Sequence, residues 1–361
     1  MKNIFSNQWI YGNMLLYIAI VACFSLIAYY HLSSGFSMSS DSERLSRWAD
    51  DLIKLNFNFY QFFSIDKISI RPHLLFFSVP VLLIALCKVI FVNEWQFAFL
   101  MFNLSLVFFS LIIFVKCLLL IKVRPFLISF ALPVILISVD ILIWPKFILT
   151  DMIYAFLTLI ATYFIIKGIT KNKAYYFYLF LITSLLFTTR PSSFPIIFAI
   201  AFFILISKYQ IVFKPKMILL LLIAAFISIP FIYSLTYFFI EFNLNENVRL
   251  NFITNMVKDG MIIHDRPETW VKEPKNFIDI MYIFFLRLIN FFNPYASTFS
   301  ITHITLNVIQ LVLILFSVFI WFFFGGYIKI YDKVFLFILL LSFSVAAFHS
   351  FILIDYDWRY R

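Results

Sequence analysis

Long apolar stretches dominate this chain and decide what it can become. Ten of them run through the sequence, at 10–30, 74–92, 96–115, 125–144, 147–166, 174–189, 191–207, 217–240, 304–328 and 334–354, joined by short polar segments. Blocks of about 17–25 apolar residues have the length of a helix that crosses a bilayer. None shows the period-two alternation of a membrane β-barrel strand. Hydrophobic residues make up 63% of the 361 positions and charged residues 13%, against about 45–50% and about 25% in soluble domains. That composition excludes a water-soluble fold, and it excludes a disordered chain for the same reason. The expected fold class is an all-α polytopic membrane protein embedded in the lipid bilayer.

Charge sets the expected topology. The formal net charge is +10, which by itself would suit nucleic acid, but its distribution points elsewhere. Lys116/Lys122/Arg124, Lys167/Lys171/Lys173, Lys208/Lys214/Lys216, Lys329/Lys333 and Lys2 hold 12 of the 28 basic residues, with a single acid, Asp332, among them. Lys and Arg concentrate in short cytoplasmic loops. The excess is therefore a topology signal, and no nucleic-acid partner is expected. If all ten stretches crossed, the second and third clusters would fall on the wrong side. The weakest stretch is 74–92: its run Leu74–Cys87 is broken by Pro80 and closed by Lys88, and runs of about 10–14 residues are more often re-entrant or interfacial. With this segment non-crossing, nine transmembrane helices result, N-terminus cytoplasmic and C-terminus outside. The segments divide as a membrane module at 1–240 with a large first external loop at 31–95, an external loop at 241–303, and a transmembrane pair with tail at 304–361. Cys23, Cys87 and Cys117 lie in apolar segments at unrelated spacings and read as buried apolar residues, with no disulfide framework or CxxC metal motif.

The external segments carry the candidate chemistry. In the first loop, Ser40 and Glu43 have capping-box spacing, so a helix is expected from Asp41, with Leu45, Trp48, Leu52 and Leu55 on one face, lying in the membrane interface. Asp41 is either a dipole-complementing first residue or a functional acid at the membrane mouth. Asp151, in Leu149-Thr150-Asp151, sits between two spans near the outer surface, and Asp140 lies inside the preceding span. A carboxylate there costs about 2.5–3.5 kcal/mol and calls for a partner, for which Lys146 is one choice, or a wet cavity. Arg190, in Thr189-Arg190-Pro191, is always charged; it either marks a span boundary or binds a phosphate bidentately. Asn276, Asp279, Arg287 and Asn290 share one arc of a second expected interfacial helix at 277–295. His31, His73, His264, His303 and His349 all map to the outer half without ligand spacing, which leaves a divalent metal ion open as a cofactor and none certain.

The order of these features resembles a family. An acidic motif in a large first external loop is followed by Arg71-Pro72-His73-Leu74, Leu149-Thr150-Asp151, Thr189-Arg190-Pro191 and a late Arg359-Tyr360-Arg361. This is similar to the GT-C membrane glycosyltransferases of the protein O-mannosyltransferase and aminoarabinose-transferase group. Leu45 stands where many relatives carry an aromatic residue, and Pro72-His73 where they carry Pro-Pro. The resemblance implies a GT-C fold in the plasma (bacterial inner) membrane. It implies inverting transfer of a sugar from a polyprenyl-phosphate donor to a glycolipid, glycan or protein acceptor at the extracytoplasmic face. Carried over, Asp41 matches the catalytic aspartate of the first loop, Asp151 the second acidic position, and Arg190 the basic residue before proline.

The chemistry agrees with that assignment. A lipid phosphate is a weakly basic leaving group, so the reaction needs one carboxylate to take the acceptor's proton and fixed positive charge for the departing phosphate. Asp41 is the expected base. Arg190, Arg71, Lys88, Arg359 and Arg361 are the expected phosphate ligands, with Glu43, Asp140 and His264 as secondary acidic or polar positions. Two other classes fit an external site on lipid-linked glycans: a polysaccharide polymerase or ligase using lipid-diphosphate glycans, and a flippase for lipid-linked sugars.

Overall fold

The computed structural model describes residues 2–63, 74–136, 141, 143–171, 175–208, 285–289, 291–295, 300–324 and 329–351. Among them the regular structure is helical: α1 (Lys2–Ser34), α2 (Ser40–Lys54), α3 (Ser78–Phe91), α4 (Trp95–Leu120), α5 (Pro125–Ile135), α6 (Asp151–Lys171), α7 (Tyr176–Phe187), α8 (Phe194–Lys208), α9 (Ile301–Phe324) and α10 (Lys329–Phe351). Five helical stretches among the described residues are long and apolar enough to cross a membrane: Asn13–Ser34, Leu74–Leu120, Asp151–Lys171, Ile301–Trp321 and Asp332–Ser350. Helices α5, α7 and most of α8 are shorter but equally apolar. Large side chains such as Tyr17, Val21, Phe177, Phe180, Leu315 and Phe316 point outward; in water such a surface would aggregate, and in lipid it is solvated.

The chain divides into two compact units, Met1–Ile197 and Phe198–Arg361. The division falls inside α8, short of the boundary expected at 240; residues 209–284 lie outside the described part. In the first unit α1, α4 and α5 share a core of Leu16, Ile20, Cys23, Leu111, Val115, Ile128 and Leu132. Cys23 and Cys117 are buried and Cys87 partly so, all three as free thiols.

Backbone and side-chain bonds fix the direction of each helix in this unit. His31, near the end of α1, has its Nε2 3.3 Å from the Ile141 carbonyl. Beyond α1 the Ser37 N–H donates to the Lys146 carbonyl at 2.8 Å, and Ser37 pairs with Phe147 as an isolated parallel bridge. Asn103, eight residues into α4, reaches the carbonyls of Pro145 and Phe147, and α6 begins at Asp151. The end of α1 and the beginnings of α4 and α6 therefore lie together, and α4 and α6 run parallel along their extensive contact. Arg190 pairs with Asp151, and the Val79 N–H donates to the Thr188 carbonyl at 3.1 Å. Those bonds bring the end of α7 and the starts of α8 and α3 to the same place.

Two consequences follow. First, Lys116, Lys122, Arg124, Lys167 and Lys171 gather at the opposite end of the unit, because they close α4 and α6 or open α5. Lys167 there sits 5.0 Å from the Tyr175 ring and 5.4 Å from that of Tyr163. Second, both ends of α3 belong to the end that carries Asp151. Its first turn is bonded to Thr188, and its last residue passes through the Val92–Glu94 turn into the first residues of α4. Fourteen residues of helix span about 21 Å, short of a hydrocarbon core of about 30 Å.

Helix α2 departs from expectation in two ways. Its N-cap is Ser39, whose hydroxyl accepts from the Ser42 N–H while the Ser42 hydroxyl accepts from the Ser39 N–H. The capping box is thus Ser39/Ser42, not Ser40/Glu43, and Asp41 is the second helical residue rather than the first. The frame is chosen by burial: Ser42, Leu45, Trp48, Ala49 and Leu52 form the covered face, whereas Glu43 is exposed. That face packs on α3, so protein, and not lipid alone, covers it. Lys88 of α3 locks the contact, donating to Asp50 at 2.7 Å and to the Ser46 carbonyl at 3.1 Å, with its ammonium 4.8 Å from the Trp95 ring.

In the second unit the Trp321 indole of α9 donates to Asp332 of α10 at 3.1 Å. Phe203 meets Phe337 with ring centres 5.2 Å apart. Arg287, expected on the polar face of an interfacial helix, is instead only 2% exposed and donates to the Ser350 carbonyl at 3.3 Å. The Ser350 carbonyl, near the end of α10, accepts from this always-charged group. Asn276, Asp279 and Asn290 lie outside the described residues.

Candidate functional site

Site geometry begins with an irregular stretch of backbone. After α5, a 3-10 turn at Trp144–Lys146 leads into extended residues, and Trp144, Ile148, Leu149 and Thr150 are all buried. Non-helical backbone at membrane depth survives only when its polar groups are satisfied within the protein, since each orphaned group costs several kcal/mol. Here three successive carbonyls are bonded: Pro145 and Phe147 by the Asn103 amide at 3.0 and 3.1 Å, and Lys146 by the Ser37 N–H. Thr150 then caps α6, its carbonyl accepting from the Tyr154 N–H at 2.9 Å. Asp151 becomes the first helical residue, where the helix dipole favours negative charge.

Arg190 is delivered from the other side. At the end of α7 the buried Thr189 hydroxyl donates to the Leu185 carbonyl, and the Arg190 N–H to that of Leu186. The 3-10 turn Pro191–Ser193 follows, and both the N–H and the hydroxyl of Ser193 donate back to the Arg190 carbonyl. Held in this way, the guanidinium Nη1 donates to Asp151 Oδ1, with each side chain 11% exposed. The guanidinium also lies 5.8 Å from the Tyr154 ring, whose hydroxyl donates to the Ser192 carbonyl at 3.0 Å. The Ser192 Oγ is buried and has no hydrogen-bond partner among the described residues. What results is a charge-compensated cluster: a carboxylate, a guanidinium, a phenol and a hydroxyl from two helix starts.

The remaining predicted residues divide into three groups. Asp41, at 33% side-chain exposure, pairs with Arg44 at 3.1 Å across one helical turn. It follows the connector that Ser37 ties to Phe147, so its helix starts at the same end as the Asp151–Arg190 pair. Lys88 is engaged by Asp50 and by the Ser46 carbonyl, nine residues and about 14 Å along α3 from the Val79 link. Its position is explained by the α2–α3 contact rather than by the Asp151–Arg190 cluster. Arg71, Asp140, His264, Arg359 and Arg361 lie outside the described residues, as does His73.

Among the described residues no three His, Cys, Asp or Glu side chains gather so as to hold a metal ion; Asp41, Asp50 and Asp151 each meet a basic side chain instead. Three contributors to the site had no place in the sequence reading: Asn103, Tyr154 and Ser37. Of these Asn103 left a signal, an amide in the apolar run Trp95–Leu120 that had to find a bonding partner in the fold.

Fold and site together define a class: a helical integral membrane protein whose described charged groups are sorted to two ends of its first unit, with a partly buried carboxylate–guanidinium pair at one of them. Comparison of the chain with protein-family models, curated proteins and solved structures returns no match to any of the three.

Proposed function

We propose that this protein transfers a sugar from a polyprenyl-phosphate donor to a glycolipid, glycan or protein acceptor, at the end of its first unit that carries Asp151 and Arg190. One observation carries the reading: a guanidinium and a carboxylate, each with its side chain 11% exposed, are paired at the end remote from the Lys116/Lys122/Arg124 and Lys167/Lys171 clusters. Basic clusters favour the cytoplasmic side, which makes this end extracytoplasmic, with nine spans and a cytoplasmic N-terminus.

In the proposed reaction the acceptor hydroxyl attacks the anomeric carbon as the C1–O bond to phosphate breaks, inverting that centre. The bonding pair leaves with the phosphate, and the hydroxyl proton passes to the Asp41 carboxylate. Arg190 stabilises the leaving charge. At rest it is held by Asp151, so the donor phosphate must compete with that carboxylate for the same guanidinium. A bidentate phosphate contact is strong enough to do so, and the exchange would leave Asp151 available to orient the acceptor. Arg71, Arg359 and Arg361 would add positive charge, with Asp140, Glu43 and His264 as secondary polar groups; Lys88 holds α2 over α3.

The test is mass spectrometry of cell-surface glycans with the gene deleted, then restored as the native chain, Asp41→Asn or Arg190→Ala. Deletion should remove one sugar's mass from a surface glycan and the native gene should return it. Asp41→Asn should express normally yet transfer about 10²–10⁴-fold more slowly, the range for a lost positioned base. An unchanged glycan profile on deletion, or full restoration by Asp41→Asn, would overturn the proposal.

A further inference from the structure

We infer that Asn103 is the positioning residue of the site: its side-chain amide, reaching out of α4, sets where the stretch before α6 runs and hence where the Asp151 carboxylate meets Arg190. The functional half of this inference rests on the sugar-transfer reading; the structural half does not.

Asn103 is fully buried in an apolar helix, a place where an amide has to be bonded. Its Nδ2 donates to two carbonyls two residues apart, Pro145 at 3.0 Å and Phe147 at 3.1 Å. The intervening Lys146 carbonyl takes the Ser37 N–H at 2.8 Å. Pro145 cannot donate, and the single 3-10 turn Trp144–Lys146 closes on itself only through the Phe147 N–H to the Trp144 carbonyl at 3.0 Å, so the Asn103 and Ser37 bonds tie that turn to the rest of the unit. Three residues separate Phe147 from Asp151, and Thr150 is already the cap of α6. Sliding the stretch would therefore move the first turn of α6, and with it Asp151 and Tyr154, away from Arg190 and Ser192.

A primary amide is the side chain that this arrangement demands. One nitrogen supplies two N–H groups at a fixed angle, matching carbonyls that bracket a third. Asp is isosteric but has no donor when ionised, Leu is similar in size with none, and Gln retains both donors on a longer arm. Asn103 makes no described contact with Asp151 or Arg190, so it acts through the backbone that it holds.

The bridge between Ser37 and Phe147 provides a reporter that needs no substrate. Paired residues on neighbouring extended strands lie about 4.8 Å apart, inside the range of about 4.4–6.8 Å that a disulfide tolerates, and both positions are partly exposed. The full-length chain carrying Ser37→Cys and Phe147→Cys should crosslink under mild oxidation in native membranes, read by a thiol mass-tag on the folded fraction, with each single variant as the control for native cysteines. Adding Asn103→Leu or Asn103→Asp should slow crosslinking about tenfold, the factor that ~1.4 kcal/mol makes in a population. Asn103→Gln should recover at least part of that loss. In the glycan assay, without the added cysteines, Leu and Asp should lose transfer and Gln regain some of it. Unchanged crosslinking in both Asn103→Leu and Asn103→Asp would overturn the structural half. Slowed crosslinking with native transfer would overturn the functional half, and a deletion without glycan effect would strike the sugar-transfer reading while leaving the crosslinking result standing.

Discussion

The Asp151–Arg190 pair joins the starts of two helices of the first unit through one ion pair. Removing one member of a buried pair strands the other charge and costs about 3–5 kcal/mol, whereas replacing both by apolar groups is often close to neutral. Asp151→Ala and Arg190→Ala should each lower the unfolding midpoint in detergent, and Asp151→Leu combined with Arg190→Met should recover most of the loss while abolishing transfer. A double variant as unstable as the single ones would show that the pair is not what the structure depends on there. Both residues were visible in the sequence as charged punctuation between apolar runs. That they meet was not, because 39 positions separate them and nothing in either local pattern encodes the other. Ser39 teaches the same lesson on a smaller scale: Ser39/Ser42 and Ser40/Glu43 are overlapping boxes one residue apart, and only the burial of Ser42 with Leu45, Ala49 and Leu52 decides between them.

At the level of elements, the end of α1 and the identity of α3 matter most. Helix α1 closes with Gly35 at φ +70°, its N–H bonded to the His31 carbonyl at 2.9 Å; this is the left-handed cap that turns the chain toward Ser37. The space around its Cα is open, so a methyl group there meets no neighbour and the backbone alone opposes it. Gly35→Ala should cost about 1–2 kcal/mol, seen as a lower thermal midpoint, and an unchanged midpoint would mean that the cap is dispensable. Helix α3 was legible as an anomaly, a short run with Pro80 inside and Lys88 at its end. Its return to the Asp151 end came from the Val79–Thr188 bond and the tight joint at Val92, features that no hydropathy window can register. The apolar stripe of α2 was equally readable, yet its partner was not: one amphipathic face fits a lipid interface or a neighbouring helix alike, and here α3 covers it.

For the molecule as a whole, the sorting of charge in the first unit is the organising fact. Lys122 and Lys171 occupy one end and Ser37 the other, so cysteines placed at these positions should react with a membrane-impermeant maleimide from opposite sides of intact cells: Ser37→Cys from outside, Lys122→Cys and Lys171→Cys only after permeabilisation. Labelling of all three from one side would contradict the arrangement. The sequence by itself determined the class, because bilayer thickness sets the length of an apolar helix and the composition leaves no other solvent for this chain. It also marked the basic ends of the helices and the acids and guanidinium between them, since each is a local departure from an apolar run. Tertiary structure alone decided which of those groups meet: the pairing of Asp151 with Arg190, the capture of Lys88 by Asp50, and the stitching of 145–147 by Asn103 and Ser37. Those pairings depend on how the helices are placed side by side, and that placement is settled by packing and by the need of every buried polar group for a partner, wherever along the chain the partner lies.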